Sequence, residues 1–312
     1  MLFPSQGFET PGMGLARADA DAHAARLLDV VSGLVDIDAR AVLAGGGPAF
    51  RRQEVVQALT LAVSLGSVHD VPDVAYAAGH SLGEFGAVLF AGGVDVDAGL
   101  AFAAARGRAM GEAARRAPGG IVAIRADAEA VAAHNTPTGW SMCGPPAALA
   151  ALGRRTRATP VTNAGAWHHP SHAALAPAVR DALAGVRFRP MRVGVVSAHG
   201  GGGGGGSEGL PANLTEDVAA GRLVTNAHPW GGGLVAADPW GGRSEGLVTA
   251  ADLPDLLVTQ LSTPVRWVRA VRRLVALGVG EVIVAEPSRH LAAMVREIAP
   301  ALRVVSAAGG WA

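Results

Sequence analysis

One pentapeptide limits the possible folds of this chain more than any other stretch. Gly79-His80-Ser81-Leu82-Gly83 lies between the apolar run 74–78 and the helical pattern 84–91. Where a strand enters a helix through such a turn, the serine Oγ projects outward and the helix N-terminus faces any negative charge that develops beside it. The order predicts an α/β fold with Ser81 as a nucleophile. In a chain with 43 glycines, a simple glycine-rich turn is the alternative.

Apolar runs and helical patterns alternate along most of the chain. The strand-like runs are 74–78, 193–197 and 281–285, and the helical patterns are 51–68, 84–91, 99–116, 264–277 and 291–298. This alternation predicts a parallel sheet with helices on both faces. Between residues 121 and 163, shorter runs in the order strand-helix-strand-helix-strand, with the first helix at 128–133, predict a small second lobe.

The segment 199–246 does not follow this alternation. It contains seven consecutive glycines, 200–206, and two near-identical units, His228-Pro229-Trp230-Gly231-Gly232 and Asp238-Pro239-Trp240-Gly241-Gly242. Because glycine loses much backbone entropy when it becomes ordered, we expect a flexible surface insertion here. Binding of a partner by the two tryptophan units is the alternative.

The composition excludes several classes of function. Twenty-six basic residues balance 26 acidic ones, so neither a nucleic-acid surface nor an anionic-membrane surface is expected. The single Cys143 excludes an intramolecular disulfide and a cysteine-based metal cluster. No signal-peptide pattern opens the chain, and no apolar run reaches the roughly 18 residues that a membrane span needs. We therefore expect a soluble, cytoplasmic protein.

A nucleophilic serine needs a general base, and the histidines are the candidates. Three of the ten, His168, His169 and His172, lie close together, and their spacing alone does not choose among them. His168 and His172 also form a His-x-x-x-His pair of the kind that binds zinc on one helix face. Pro170 between them interrupts such a helix and no further ligands cluster nearby, so we expect no metal here. The sequence implies no redox cofactor either, so none is expected.

Five motifs of the chain, in order, resemble those of the malonyl-CoA:acyl-carrier-protein acyltransferases, which include the acyltransferase domains of fatty acid and polyketide synthases. They are Phe3-Pro4-Ser5-Gln6-Gly7, Gly79-His80-Ser81-Leu82-Gly83-Glu84-Phe85, Arg106-Gly107-Arg108-Ala109-Met110, Gly165-Ala166-Trp167-His168, and Gln260-Leu261 with Pro264-Val265-Arg266-Trp267. The resemblance implies a large α/β-hydrolase-like subdomain with a parallel sheet, formed by residues 1–118 and 164–312. It also implies a small ferredoxin-like subdomain, here shortened, at 119–163.

The resemblance also implies catalytic roles. Ser81 takes the acyl group from a CoA thioester, and His168 is the general base, because an ungapped extension from His168 aligns the residues up to 197 with the family's next strand. The backbone amides of Gln6 and Leu82 form the oxyanion hole. The backbone carbonyl of Gln260 orients the histidine, so the family uses a serine-histidine dyad without an acidic third member.

For the substrate, the resemblance assigns Arg106 to a free carboxylate, with which its guanidinium can form a bidentate pair. Met110, Trp167 and His80 complete the implied substrate-binding residues. In family members that load extender units, a bulky aromatic residue before the histidine accompanies malonyl. Trp167 therefore favours malonyl over methylmalonyl.

Together these roles imply an acyl-carrier-protein S-malonyltransferase, which moves a malonyl group from CoA through an acyl-Ser81 intermediate to the phosphopantetheine thiol of an acyl carrier protein. We expect a monomer whose partners are malonyl-CoA and the carrier protein. An acyl hydrolase that passes the same intermediate to water is one alternative. A non-catalytic module that only binds a synthase is the other.

Two departures from the family pattern carry expectations of their own. The small lobe is short, which would alter recognition of the carrier protein or the acyl chain before it altered the chemistry. Residues 285–289, Ala-Glu-Pro-Ser-Arg, stand where the family has a glycine-proline-glycine turn. Side chains there would be strained if the turn required a positive φ.

Overall fold

A computed structural model of the chain describes residues 1–71, 74–125, 135–154, 157–161, 165–199, 224–225 and 247–307. Its helices are α1 (Leu15–Ala20), α2 (Ala22–Val35), α3 (Ala39–Gly45), α4 (Gln53–Gly66), α5 (Leu82–Phe90), α6 (Val96–Arg116), α7 (Pro146–Gly153), α8 (Ala176–Leu183), α9 (Leu253–Thr259), α10 (Trp267–Ala276) and α11 (Arg289–Ile298). Its strands are β1 (Leu2–Phe3), β2 (Tyr76–Gly79), β3 (Gly120–Arg125), β4 (Gly139–Gly144), β5 (Ala158–Pro160), β6 (Gly194–Val196), β7 (Val224–Thr225), β8 (Leu247–Val248), β9 (Glu281–Val284) and β10 (Arg303–Ser306). Helices α2, α3 and α6 begin where an aspartate side chain accepts a backbone N–H of the first turn, at Asp21, Asp38 and Asp95.

Six strands form the large sheet, in the order β10-β9-β1-β2-β6-β8. Every neighbouring pair is parallel except β6 and β8, which run antiparallel. The predicted parallel sheet is thus confirmed, with one antiparallel strand at its edge. β1 lies inside the sheet, so that Leu2 is opposite both Ala78 of β2 and Val284 of β9.

Successive side chains of the inner strands enter two different cores. Phe3 and Ala77 belong to the core built with α2, α4, α5 and α6. Leu2 and Ala78 belong to the core built with α10 and α11. Because both faces of the sheet are covered by helices, its strands read as continuous apolar runs and not as an alternation of polar and apolar residues.

A second sheet of four antiparallel strands, in the order β5-β3-β4-β7, forms the small lobe together with α7. Its buried core consists of Val122, Ile124, Trp140, Met142 and Leu152. All neighbouring strands are antiparallel, as in the ferredoxin-like sheet that the resemblance implied, but the edge strand beside β4 is the last of the four in the chain. Strands β3, β4 and β5 come from the segment 119–163, and the division of the chain at residues 118 and 164 stays a prediction.

Strand β7 comes from inside the segment predicted to be a flexible insertion. Thr225 pairs with Met142, and Val224 pairs with Cys143. These two residues thus pair with β4, because its outer edge offers backbone groups that a further strand satisfies, and the flexible insertion over 199–246 stays a prediction. Residues 200–223 and 226–246, which hold the glycine run and both tryptophan units, lie outside the described residues, as does the predicted helix at 128–133.

The strain expected in the turn after β9 is absent. None of residues 285–289 has a positive φ. The turn is docked on α4 and the residue after it, since Ser64 Oγ donates to Glu286 O at 2.6 Å and Glu286 N donates to Ser67 Oγ at 3.1 Å. The backbone of this turn therefore accommodates residues with side chains without strain.

The close approach of β1 to α5 leads to a prediction about Gly83. A Cβ on Gly83 would lie 2.1 Å from Phe3 O. Since backbone atoms on both sides must shift, Gly83→Ala is expected to lower the free energy of unfolding, measured with denaturant, by at least about 3 kcal/mol. Gly33→Ala in helix α2 is the control, because a Cβ there meets nothing within 4 Å, and it should stabilise by about 0.5–1 kcal/mol. Equal unfolding midpoints for the two variants would contradict this account.

Candidate active site

Ser81 lies in the sharp turn between β2 and α5. Its backbone has φ 51° and ψ −115°, which residues with side chains rarely adopt, whereas neither Gly79 nor Gly83 has a positive φ. A Cβ on Gly79 would lie 1.9 Å from the carbonyl carbon of Gly83. The glycines therefore permit close contact between backbone segments, and the strained residue is the serine itself, as is common at functional sites.

His168 is the histidine that the fold brings to Ser81. Its Nε2 lies 2.8 Å from Ser81 Oγ, and its Nδ1 lies 2.9 Å from both Gln260 O and Thr263 O. Because two carbonyl oxygens can only accept, Nδ1 carries the proton of the neutral ring. Nε2 is then the free base, and it accepts from the Ser81 hydroxyl. The sequence analysis predicted the carbonyl of Gln260, and the structure adds that of Thr263.

The surroundings of His168 keep its ring neutral. Only 4% of the residue is exposed. Burial lowers the pKa of His168 well below its ordinary value, and positive charge on His199 lowers it further, against the hydrogen bond to Thr263, which raises it. A neutral imidazole with an unprotonated Nε2 is the form that can take a proton from serine.

The two residues predicted to form the oxyanion hole come from different elements, Leu82 from the start of α5 directly after Ser81 and Gln6 from the loop after β1. Leu82 is the first residue of α5, so its N–H has no acceptor within the helix, and the helix dipole adds positive potential there. Gln6 follows β1, and its Nε2 donates to Gln53 Oε1 at 3.0 Å. Gln6 also lines the same cavity as Ser81 and His168. Their role toward an oxyanion stays a prediction.

Arg106 carries a buried positive charge into this cavity. Its Nη1 donates to Gln57 Oε1 at 2.7 Å, and its Nη2 donates to Gln260 Oε1 at 2.8 Å. Its Nε is buried and has no partner among the described residues, and none of their carboxylates pairs with the guanidinium. Burial lowers the pKa of Arg106 to about 10, so the group is still charged at neutral pH. Neutral acceptors alone compensate a buried cation poorly, so the site suits an anionic ligand.

Gln260 joins the arginine, the serine turn and the histidine. Its side-chain Oε1 accepts from Arg106, while its Nε2 donates to Ser81 O at 3.0 Å and to Glu84 Oε2 at 3.1 Å. Its backbone oxygen accepts from His168. The residue is fully buried. Only the backbone role of Gln260 was predicted from the sequence, and the role of its side chain was not.

The dyad opens into a cavity of about 120 Å³ that is lined by residues of both the large and the small sheet regions. Trp167 and Met110 contribute apolar walls. His80 lies on another side, where its Nε2 donates to Asn135 Oδ1 at 2.9 Å and Asn135 Nδ2 donates to Ser141 Oγ at 2.6 Å. Burial lowers the pKa of His80 to about 4, so this ring is neutral as well.

The other two histidines of the cluster have different partners. The His172 ring packs against Trp167 with centroids 5.0 Å apart, and His169 Nδ1 lies 2.8 Å from Ser171 Oγ. His168 and His172 therefore do not form the zinc pair that their spacing allowed. Within the described ranges, no group of three or more His, Cys, Asp or Glu residues could hold a metal ion.

A row of polar side chains along the buried helix α4 and the residue after it was not predicted from the sequence. The row recurs at intervals of four, three, four and three residues, which places it on one helix face: Gln53, Gln57, Thr60, Ser64 and Ser67. Its partners are the loop after β1, Arg106, Met110 and the turn after β9. The signal was present in the sequence as polar residues at helical spacing in an otherwise apolar segment.

Fold and site together define a two-lobed α/β protein in which a serine at a strand-to-helix turn and a histidine meet at one cavity. Its fold is that of the malonyl-CoA:acyl carrier protein transacylases. It is similar to an MCAT from Streptococcus pneumoniae, with TM-score 0.75 and 20% identity over 98% of this chain and 94% of that one. It is similar to the malonyl-CoA:acyl carrier protein transacylase of Xanthomonas oryzae, with TM-score 0.75 and 23% identity over 99% and 94% of the chains.

A third similar structure is a type II PKS acyl-carrier protein in complex with its malonyl-transacylase, with TM-score 0.74 and 20% identity over 98% of this chain and 94% of that one. The likeness thus covers nearly the whole chain. No protein-family model and no curated protein matches the sequence. Among the helices of the described ranges, none is both long and apolar enough to pass through a bilayer.

The lowered pKa of His168 predicts that Ser81 stays reactive in mildly acidic solution. The base is lost only when pH falls through the pKa of His168 in the folded protein, which is lowered well below its ordinary value of 6.5. The measurement is the rate at which a fluorophosphonate, which reacts with activated serines, modifies Ser81 across pH, with Ser81→Ala as the blank. We expect most of the limiting rate to persist at about pH 6. The fall in rate at low pH is the acid limb of this profile. An acid limb centred above pH 6.5 would contradict the lowered pKa of His168.

Proposed function

We propose that this protein is an acyltransferase that moves a malonyl group from CoA to an acyl carrier protein by a Ser81–His168 dyad. The observation that carries the proposal is the buried guanidinium of Arg106, which lines the same cavity as the dyad and pairs with no carboxylate of the described residues. A malonyl thioester has a free carboxylate at one end and a reactive carbonyl at the other. The two ends match the cation and the nucleophile.

In the first half-reaction, His168 Nε2 takes the proton of Ser81 as Oγ attacks the thioester carbonyl. The amides of Leu82 and Gln6 stabilise the oxyanion that forms. The malonyl carboxylate pairs with Arg106, which positions the carbonyl above Oγ. When the carbon–sulfur bond breaks, the CoA sulfur receives the proton from His168. CoA departs as the free thiol, and malonyl-Ser81 remains.

In the second half-reaction, the phosphopantetheine thiol of the carrier protein gives its proton to His168 Nε2, and its sulfur attacks the malonyl ester. The bond to Ser81 Oγ then breaks and His168 returns the proton to the serine. A carrier protein as acceptor is supported by the similar structure in which an acyl-carrier protein is in complex with its malonyl-transacylase. Exchange of this kind needs neither a metal nor a redox cofactor.

The wall formed by Trp167 supports malonyl over methylmalonyl. Trp167 is buried, and its ring is so close to Gly165 that a Cβ on that glycine would lie 2.5 Å from a ring carbon. The indole therefore packs closely against the backbone of Gly165. A methyl group on the α-carbon of the substrate would have to displace it.

Intact-mass analysis after incubation with malonyl-, methylmalonyl- or acetyl-CoA tests the function. We expect a persistent malonyl adduct on the wild-type chain, little methylmalonyl adduct, and none in Ser81→Ala. Addition of a carrier protein with its phosphopantetheine arm should discharge the malonyl adduct. An adduct that decays in water alone would favour a hydrolase, and the absence of adducts with all three donors would overturn the proposal.

Replacement of the arginine separates carboxylate recognition from catalysis. Arg106→Lys keeps the charge but loses the planar fork, so kcat/KM for malonyl-CoA should fall by about 10–100-fold. With acetyl-CoA, which has no free carboxylate, the same variant should change little. Arg108→Lys is the matched control, since Arg108 lies on the exposed side of the same helix and donates to Leu34 O. Equal losses with both donors would show that Arg106 does not bind the carboxylate.

A further inference from the structure

Next to the Ser81–His168 dyad lies a buried pair formed by a carboxylate and an imidazole, Glu84 and His199, which the mechanism above does not use. Glu84 is in the first turn of α5, and His199 follows β6. His199 Nδ1 donates to Glu84 Oε2 in a short hydrogen bond, and their side chains are 1% and 0% exposed. Because β2 and β6 are parallel neighbours, the residues that follow them emerge at the same edge of the sheet. That edge also carries Ser81.

We propose that His199, anchored by Glu84, is a positioning residue that fixes the plane of the His168 ring and holds that ring in its neutral form. The two rings are stacked, with centroids 5.4 Å apart and planes 27° from parallel. His168 is thus fixed through Nδ1 by two carbonyl oxygens and over one ring face by His199. The inference rests on the proposed function for its substrate, but its claim concerns the Ser81–His168 pair alone.

Glu84 is a firm anchor because its carboxylate is ionised and surrounded by donors. Ala198 N donates to Oε1 at 3.0 Å, and Gln260 Nε2 donates to Oε2 at 3.1 Å. Burial alone would raise the pKa of Glu84, but the charge of His199 and the hydrogen bonds from His199, Ser197 and Gln260 together lower it. Among the described residues, His199 is the ion-pair partner of this buried carboxylate. A buried carboxylate without such a partner would be costly.

His199 also influences the charge state of His168. Three groups from different elements act electrostatically on the His168 ring. They are His199 after β6, His80 in the serine turn and Arg106 on α6. After burial, the positive charge of His199 is the largest influence that lowers the pKa of His168. Removal of that charge should raise this pKa, so that the ring becomes protonated, and Ser81 unreactive, at a higher pH.

The experiment measures Ser81 modification by the fluorophosphonate across pH in the full chain and in two variants. His199→Asn keeps an N–H donor for Glu84 but loses the ring and the charge. We expect its limiting rate to fall about tenfold and its acid limb to move up by about half a pH unit or more. His199→Phe keeps a flat ring against His168 but no charge, so its limb should move similarly with a smaller loss of limiting rate. His69→Asn, at an exposed histidine, is the control that should change neither quantity.

A merely structural role for His199 would reduce the amount of reactive protein and leave the acid limb where it is. An unmoved limb in folded His199→Asn and His199→Phe would therefore overturn the inference. If neither variant folds, His199→Gln, which likewise keeps an N–H donor for Glu84 but loses the ring and the charge, is measured in the same way. An unmoved acid limb in that variant would overturn the inference as well.

The reagent also separates the two proposals. It requires Ser81 and its base but no malonyl group. A wild-type chain that is phosphonylated but takes no acyl group from any CoA thioester would refute the proposed function, and the shift of the acid limb would still decide the role of His199.

Discussion

The arrangement of the site depends on one buried amide placed between two buried charges. Arg106 and Glu84 have opposite charges, and the structure joins them through the side chain of Gln260. A primary amide suits this place because it offers an acceptor to the cation and donors to the anion at once. The same residue supplies a carbonyl to His168 and a donor to Ser81 O. Loss of its side chain would leave two charged groups under-satisfied in a low-dielectric interior.

At His168, backbone carbonyl oxygens take the place that a carboxylate holds as third member of a catalytic triad, and this has an electrostatic consequence. In a serine-histidine-aspartate triad, the acid both selects the tautomer and stabilises the imidazolium that forms. The carbonyls of Gln260 and Thr263 select the tautomer but carry no full charge. His168 is therefore oriented without being made strongly basic, which suits the proposed reaction, in which one histidine deprotonates serine and a thiol in turn.

The sequence was sufficient for the parts of the fold and site that leave a local pattern. Alternating apolar runs and helices predicted the parallel sheet, and motif resemblance singled out Ser81, His168 and Arg106, which the fold brings to one cavity. Spacing alone did not decide which of the three clustered histidines is the base, because it does not show which ring reaches the serine. Glu84 and His199 are 115 residues apart, and a contact over such a distance has no local signal. Strand β7 is only two residues long, so it shows no periodicity by which it could have been predicted.

The pairing of β7 with β4 also determines when the small lobe can be completed. Among the described residues, its other strands and α7 are present once residue 160 has been synthesised, but the outer edge of β4 must wait for Val224 and Thr225. Until then no described strand covers β4 at Met142 and Cys143, to which the edge of another chain can add. The small lobe, which contributes Ile121, Ala123 and Ser141 to the cavity, is thus completed late in synthesis, and crowding of nascent chains would endanger this lobe before it endangered the large sheet.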